Sequence, residues 1–221
     1  MLNIYYNFIN TIDFKRIFNK IYLYRIILYL NEEKMRIISG LAKGTKLHTL
    51  EGINTRPTLD RVKEPLFSII QSYLKDSIVL DLFAGSGALG LESLSRGARK
   101  AIFCDKSFEA VKIIKKNIVK THFEEKSEVL CMDYKKCLEN ITEKMDLVFL
   151  DPPYQLNVAV KAIEIILKNE ILSKDAVIVL ETDNEEREIQ EIKKLEYNIK
   201  IINIRTYGRV KLIFLQEEKR G

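Results

Sequence analysis

Residues 78–90 read IVLDLFAGSGALG, an apolar run that leads into a glycine-rich turn. Gly85, Gly87 and Gly90 satisfy the pattern G-x-G-x-x-G between a predicted strand and the start of a predicted helix. Glycines at these positions let the backbone approach a nucleotide-like ligand, and the helix presents its first N–H groups there. The stretch therefore predicts an α/β fold that binds such a ligand at this turn, which we name the glycine loop (residues 83–87).

An acidic residue follows the glycine loop at the distance that such sites require. Asp105 ends the next apolar run, twenty residues after Gly85, where a carboxylate can accept hydrogen bonds from both hydroxyls of a ribose. A tight turn without a ligand is the alternative for the loop alone, and the acid favours binding. The candidate cofactor residues around the loop are Asp81, Phe83, Ala84, Gly85, Ser86, Gly87 and Asp105.

The apolar runs along the chain predict a doubly wound α/β sheet. Five of them are continuously apolar rather than alternating, at residues 78–82, 101–104, 129–131, 145–150 and 176–180. This pattern is typical of buried parallel strands with helices on both faces of the sheet. Two further runs flank Thr206-Tyr207-Gly208, and so short a connection requires an antiparallel hairpin, at residues 198–205 and 209–216. We therefore predict a mostly parallel seven-stranded sheet that ends in this hairpin.

The chain before this sheet is interpreted as an N-terminal extension followed by a small hairpin and a helix. Residues 1–34 contain no Gly, Pro, Ala, Ser or Val and are interpreted as a poorly specified extension, with Met35 as the functional start. A membrane-surface helix is the alternative for them, since their longest apolar stretch is too short to span a bilayer. Short strands at residues 36–39 and 45–50 predict a small β-hairpin. Helical spacing then predicts a helix over residues 60–74, in which Pro65 removes a hydrogen bond and introduces a kink.

The basic charge is concentrated near the N-terminal side of the sheet. The chain carries a formal net charge of +5, and residues 35–63 hold six basic side chains against two acidic ones. A nearly neutral body with such a segment predicts a localised surface for a polyanion. The alternatives are a merely solvated segment, or arginines that pair with Asp60 or Glu64. The candidate RNA-binding residues are Arg36, Lys43, Arg56, Arg61 and Lys63.

Cysteine and histidine usage argues against disulfides and against a metal site. The three cysteines form no C-x-x-C pair, and the chain contains only two histidines, which supplies a zinc site poorly. Cys104 and Cys131 lie in predicted strands and are expected in the core. The composition predicts a reduced, globular protein of the cytoplasm that binds neither metal nor membrane.

A second motif follows the predicted strand at residues 145–150. Asp151-Pro152-Pro153-Tyr154 stands at the carboxyl end of that strand, where open α/β sheets bind ligands. Adjacent prolines leave the loop little conformational freedom. A nicotinamide dinucleotide is the alternative ligand, and Tyr207 and Lys211 have the spacing of one dehydrogenase class. That pair belongs on a helix, whereas here it spans a predicted hairpin turn, so we reject it.

Together, the glycine loop and the Asp151-Pro152-Pro153-Tyr154 motif resemble methyltransferases that act on exocyclic amino groups. The chain more specifically resembles the RsmD family on the motifs Arg36-Ile37-Ile38-Ser39-Gly40, Lys43-Gly44, Thr55-Arg56-Pro57-Thr58-x-Asp60-Arg61-Val62-Lys63-Glu64 and Ala88-Leu89-Gly90-Leu91-Glu92. The resemblance covers residue 35 to the end of the chain. Pro65 departs from the family's pattern, and residues 1–34 have no counterpart in it.

The resemblance implies a Rossmann-like class I methyltransferase domain over residues 58–221, preceded by an RNA-binding β-hairpin at residues 35–57. It implies transfer of a methyl group from S-adenosylmethionine to the 2-amino group of a guanine in 16S ribosomal RNA. It also implies a monomer, with naked RNA or an assembling small subunit as its partner. The alternatives are an adenine-N6 or other amino-group methyltransferase, against which the Arg-Pro-Thr segment argues, and a non-catalytic RNA-binding module, against which Asp105 and Asp151 argue.

The same resemblance assigns roles to individual residues. The Asp151 carboxylate and the Pro152 carbonyl would accept the two N–H groups of the acceptor amine, beside Pro153, and Tyr154 would stack on the base. Asp133 resembles the acid that binds the adenine amino group of the cofactor, and a helix N-cap is an equal alternative for it.

Overall fold

The computed structural model describes residues 35–49, 58–152 and 158–218. Residues 1–34, and with them the predicted extension, lie outside this range, as do residues 50–57, 153–157 and 219–221. The described strands are β1 (Ile78–Asp81), β2 (Lys100–Asp105), β3 (Ser127–Cys131), β4 (Met145–Leu150), β5 (Leu172–Thr182), β6 (Ile199–Tyr207) and β7 (Val210–Glu217). The described α-helices are α1 (Thr58–Ile69), α2 (Ala88–Ser95), α3 (Phe108–Thr121), α4 (Tyr134–Asn140), α5 (Val158–Lys168) and α6 (Glu185–Ile192).

The seven strands form one sheet in the order β3-β2-β1-β4-β5-β7-β6. Strands β1 to β5 pair in parallel, and β7 pairs antiparallel with both β5 and β6. The predicted Rossmann-like sheet with a terminal hairpin is therefore confirmed. The strand order reverses between β1 and β4, which is the switch point at which open α/β sheets bind ligands. The glycine loop and Asp151 follow these two strands and therefore lie at the same edge of the sheet.

The two faces of the sheet carry separate apolar cores. Helices α1, α2 and α3 cover one face, whose core includes Phe67, Phe103 and Phe149. Helices α4, α5 and α6 cover the other face, where Leu80, Leu150 and Ile163 pack together. Because successive residues of a strand point to opposite faces, the continuous apolar runs are explained by burial on both sides. None of the described helices combines the length and apolar character that crossing a bilayer requires.

Residues 35–49, which we name the basic segment, form a shorter hairpin than the sequence predicts. A single bridge pairs Arg36 with Lys46, so the prediction of two strands is wrong in extent within the described part. The reason is that the hairpin closes early, where Gly44 donates its N–H to the Ile37 carbonyl at 2.8 Å. Ile38 and Ser39, beyond this point, donate their N–H groups to the Glu92 carboxylate of α2, at 2.7 and 3.0 Å.

Two further elements differ from their predictions. Helix α1 continues through Pro65 to Ile69, and a separate 3₁₀ turn at Gln71–Tyr73 replaces the end of the predicted helix. Strand β3 is an edge strand and is only partly buried. Cys131, expected in the core, is therefore exposed, whereas Cys104 and Cys137 are buried.

Candidate active site

The glycine loop has the shape of a cradle for a ligand. Gly85 has a φ of 55°, and a side chain built there would have no atom within 4 Å. The backbone is therefore open to a ligand at this point. Gly90 has a different role, because a Cβ there would lie 2.3 Å from Cε1 of Phe103. Its missing side chain lets α2 pack closely on β2, which fixes the start of that helix beside the loop.

Asp105 is bound directly to the glycine loop. Its Oδ2 accepts the Gly85 N–H at 2.9 Å, and its Oδ1 accepts the Ser107 N–H at 2.8 Å. The side chain is half-buried at the carboxyl end of β2. A carboxylate oxygen can accept more than one hydrogen bond, so each of these oxygens retains capacity for a ligand hydroxyl. Asp105 and the loop are thus held against each other at the carboxyl ends of β2 and β1.

Asp81 lies beneath the loop. It is 3% exposed and accepts the Gly90 N–H at 3.1 Å. Burial raises the pKa of this carboxyl to about 7, and the negative charge of Asp105 adds to the rise. In the structure Asp81 binds the protein backbone, and it fixes the start of α2 from below.

Asp133 is the N-cap of α4. Its Oδ1 accepts the Lys135 N–H at 3.0 Å, and its side chain is exposed. The capping alternative is therefore present, and the second oxygen remains available at the same sheet edge. Phe83 and Tyr134 pack with their rings tilted, at 5.6 Å between centroids, and form an apolar wall beside it. The burial of Tyr134, and then the charge of Asp133, raise the pKa of the phenol.

The other loop residues connect this site to the rest of the fold. Ala84 is buried and donates its N–H to the Cys104 carbonyl at 2.9 Å. The Ser86 hydroxyl donates to Sδ of Met35 at 3.0 Å, and the Ser86 carbonyl accepts a hydrogen bond from Asn117 at 2.9 Å. The loop backbone is therefore held from both β2 and α3, and the side chain of Ser86 contacts the basic segment.

Asp151 and Pro152 stand at the carboxyl end of β4, as predicted. Asp151 is half-buried and Pro152 is buried. The neighbouring strand β1 leads into the glycine loop. Leu82, the residue after β1, donates its N–H to the Phe149 carbonyl of β4 at 3.2 Å. Pro153 and Tyr154, the other two residues of the motif, lie outside the described residues. The structure thus brings Asp151, Asp105, Asp133 and the glycine loop to one edge of the sheet.

Sequence reasoning missed a further carboxylate beside Asp151. Leu150 of β4 pairs with Leu180 of β5, so Glu181 follows its strand partner as Asp151 follows Leu150. Phe149 and Val179 belong to the same core, which places the residues two positions later on that face by alternation. Glu181 is 9% exposed. An acidic residue at the end of an apolar run was the available signal, as it was for Asp105.

The basic segment presents two of the predicted cations to solvent. Arg36 and Lys43 are exposed. Lys46, which the site prediction omitted, is also exposed and lies directly opposite Arg36 in the bridge. Like charges in this position repel each other, so the pair favours an anionic partner.

The prediction that Lys63 binds RNA is wrong. Lys63 is 0% exposed, and its Nζ donates to the Arg36 carbonyl at 2.5 Å and lies 3.5 Å from the Glu92 carboxylate. A phosphate cannot reach a cation in this position. Arg56 lies outside the described residues, and the structure describes only the backbone of Arg61, in α1. Within the described ranges no group of three or more His, Cys, Asp or Glu side chains is placed to hold a metal ion.

Comparison with known proteins agrees with this geometry. The family model described as "Conserved hypothetical protein 95" matches residues 35–216. The "Ribosomal RNA small subunit methyltransferase D" of Haemophilus influenzae is 40% identical over 156 residues, which cover 69% of this chain and 80% of that protein. The protein of the same name from Escherichia coli K12 is 34% identical over 152 residues, 69% of this chain and 76% of its own length.

A solved structure shares the fold. The protein yhhF of Escherichia coli is 30% identical and superposes with a TM-score of 0.73, over 84% of this chain and 98% of that one. Since the family model spans residues 35–216 and both named relatives cover more than two thirds of the chain, this protein belongs to the RsmD family of methyltransferases.

Proposed function

We propose that this protein transfers the methyl group of S-adenosylmethionine to the exocyclic 2-amino group of a guanine in small-subunit ribosomal RNA. Family membership supports the coarser statement, methyl transfer to ribosomal RNA, since two relatives carry that activity in their names. The observation that carries transfer to an exocyclic amino group is the position of Asp151-Pro152 at the end of β4, beside the glycine loop at the end of β1. The Arg56-Pro57-Thr58 motif of the sequence supports guanine over adenine as the base.

The residues around the glycine loop fit S-adenosylmethionine, the cofactor that this family uses. Gly85 leaves open space where the methionine portion would pass, and the Asp105 carboxylate would accept the ribose hydroxyls. Phe83 and Tyr134 provide an apolar wall beside Asp133 for the adenine. The cofactor supplies a methyl group on a sulfonium, which makes that carbon electrophilic.

Asp151 and Pro152 would position the acceptor nitrogen. The lone pair of a guanine 2-amino group is delocalised into the ring, so the nitrogen is a poor nucleophile. If the Asp151 carboxylate accepts one N–H and the Pro152 carbonyl accepts the other, the lone pair can be directed at the methyl carbon. Positioning of this kind supplies a large part of the acceleration in a two-substrate transfer.

The surroundings of Asp151 would strengthen this interaction. Pro152 is buried and Asp151 is half-buried, and partial exclusion of water strengthens electrostatic interactions within the site. Asp151 need not remove a proton before transfer, because the alkylated nitrogen is a strong acid and loses its proton afterwards. The base must leave its helix, or come from a loop, to reach this position.

The basic segment would bind the RNA backbone next to this site. Arg36, Lys43 and Lys46 are exposed cations, and contacts of this type bind phosphates without reading sequence. Lys63 has no part in this surface, because it is buried.

Methylation of unmethylated small-subunit RNA tests the proposal. The full chain would be incubated with methyl-labelled S-adenosylmethionine and either a transcript of 16S RNA or assembled small subunits, and the RNA digested to nucleosides. We expect N2-methylguanosine as the product. Recovery of N6-methyladenosine would replace the proposed acceptor by adenine, and absence of label from both RNA and assembled subunits would contradict the proposal as a whole.

Two matched variants test the role of Asp151. We expect Asp151→Asn to lower turnover at least about a hundredfold while the affinity for S-adenosylhomocysteine stays within a few-fold. Asp146→Asn is the control, because Asp146 starts the same strand at its opposite end and accepts hydrogen bonds from Ile78 and Ser173. Turnover by Asp151→Asn near that of Asp146→Asn would remove Asp151 from the mechanism.

A further inference from the structure

A buried asparagine connects the basic segment to the glycine loop. Asn117 lies within α3 and is 0% exposed. Its Oδ1 accepts the His48 N–H at 2.7 Å, and its Nδ2 donates to the His48 carbonyl at 2.9 Å and to the Ser86 carbonyl at 2.9 Å. One amide group therefore satisfies three backbone groups from two distant parts of the chain.

The position of Asn117 in its helix indicates that these contacts are its role. Its neighbours Ile114 and Ile118 are buried in the apolar core. Asparagine is a poor residue for a helix interior, and a polar group in such a core requires complete hydrogen bonding. Both N–H groups of Nδ2 are used, so the amide cannot turn without losing a bond on each side.

The two partners of Asn117 lie in segments that are proposed to bind different ligands. His48 is at the end of the basic segment, which carries Arg36, Lys43 and Lys46. Ser86 stands between Gly85 and Gly87, both of which have positive φ angles, and glycines at such positions restrain the backbone little. A second contact reaches the same residue, since the Ser86 hydroxyl donates to Sδ of Met35 at 3.0 Å. One end of the basic segment thus contacts Ser86 directly through Met35, and the other end is connected to Ser86 through Asn117.

We propose that Asn117 is a positioning residue that couples RNA binding by the basic segment to cofactor binding by the glycine loop. This inference rests on the proposed function, because it takes RNA and S-adenosylmethionine as the two ligands. RNA bound to the cations of the basic segment restrains the His48 peptide further, and Asn117 transmits that restraint to the Ser86 carbonyl. Coupling between two binding sites is reciprocal, so the cofactor strengthens RNA binding by the same factor.

The experiment measures this coupling factor in the full chain. Calorimetric titration gives the affinity for S-adenosylhomocysteine with and without a saturating transcript of 16S RNA, and the ratio of the two is the factor. We expect roughly tenfold in the wild-type protein and a value near one in Asn117→Ala. Asn117→Asp is a second variant of the same shape, which keeps the acceptor for the His48 N–H and loses both donors.

Ile118→Val is the matched control for destabilisation alone. Ile118 is the next residue of α3 and is buried, but its side chain makes no hydrogen bond to either segment. We expect this variant to lower the melting temperature and to keep the wild-type coupling factor. Wild-type coupling in both Asn117 variants, beside a lowered melting temperature, would reduce Asn117 to a purely structural residue.

The outcomes separate this inference from the proposed function. If the wild-type protein methylates RNA but its two ligands bind independently, the coupling is overturned and the function stands. If the RNA neither binds nor is methylated while S-adenosylhomocysteine binds, the proposed function fails, and the coupling fails with it.

Discussion

Single carboxylates at the ends of strands define the site at the scale of residues. Asp105 has two backbone donors that fix it, from Gly85 and Ser107, and it retains capacity for ribose hydroxyls. A hydrogen bond to a charged acceptor contributes about 1.5–3 kcal/mol. We therefore expect Asp105→Ala to weaken binding of S-adenosylhomocysteine at least about tenfold, as measured by calorimetric titration. Affinity equal to that of Asp146→Asn would remove Asp105 from the cofactor site.

Asp81 makes the free energy of unfolding fall as the pH rises. Its folded pKa of about 7 lies above the ordinary value of 3.8 because the side chain is buried. The folded state therefore holds this proton more tightly, and the stabilisation that results is present below about pH 4 and is lost as the pH rises to about 7.

Asp81→Asn removes this titration and keeps an acceptor for the Gly90 N–H. We expect the free energy of unfolding of the wild type to fall relative to the variant between pH 4 and 7, by up to about 4 kcal/mol. Urea unfolding at pH 4 and pH 8 measures the difference. A gap that does not change with pH would place the titration of Asp81 outside this window.

At the scale of elements, helix α2 holds the basic segment through Glu92 and Ser95, and Glu92 is the charged one. Glu92 is 0% exposed, accepts the Ile38 and Ser39 N–H groups, and pairs with Arg96 at 2.8 Å. Lys63 lies 3.5 Å away and is also buried. Removal of one partner of a buried ion pair costs about 3–5 kcal/mol, because the other charge remains without compensation.

We accordingly expect Glu92→Ala to lower the free energy of unfolding by about 3 kcal/mol or more, as measured by urea denaturation. Glu109→Ala is the control, since its pair with Lys112 is exposed on α3 and such pairs contribute at most about 1 kcal/mol. Equal losses in the two variants would show that the basic segment does not depend on Glu92.

The bridge between Arg36 and Lys46 makes a separate prediction at this scale. Each phosphate contact on single-stranded RNA contributes about −0.7 to the slope of log K against log salt. Replacement of both residues by alanine should flatten that slope by about 1.4, as measured by RNA affinity at three salt concentrations. Exposed lysines on α5, replaced in the control Lys161→Ala/Lys168→Ala, should leave it unchanged. A slope that stays the same in both double variants would place the RNA elsewhere.

For the molecule as a whole, the sequence predicts what depends on local pattern and fails where distant groups compete. The seven strands follow from apolar runs, and the site follows from glycines and acids at the strand ends. The sequence alone does not distinguish Lys63 from a surface lysine, because Glu92, the buried carboxylate that it pairs with, is 29 positions away. The same limit applies to the hairpin of the basic segment, whose N–H groups bind α2. Asn117 becomes visible only when helix packing is known, whereas the position of Glu181 at the end of an apolar run was a signal that the sequence did offer.

The attachment of the basic segment to α2 and α3 also sets an order in time. Residues 35–49 leave the ribosome before any of their partners, and His48 is 69 positions ahead of Asn117. Chain synthesis proceeds at about 5–20 residues per second, so the segment waits several seconds before its anchors exist. During that interval a basic, unpaired stretch of chain lies next to the ribosome's own RNA. Vectorial synthesis thus exposes this segment well before the side chains of α2 and α3 that hold it have been made.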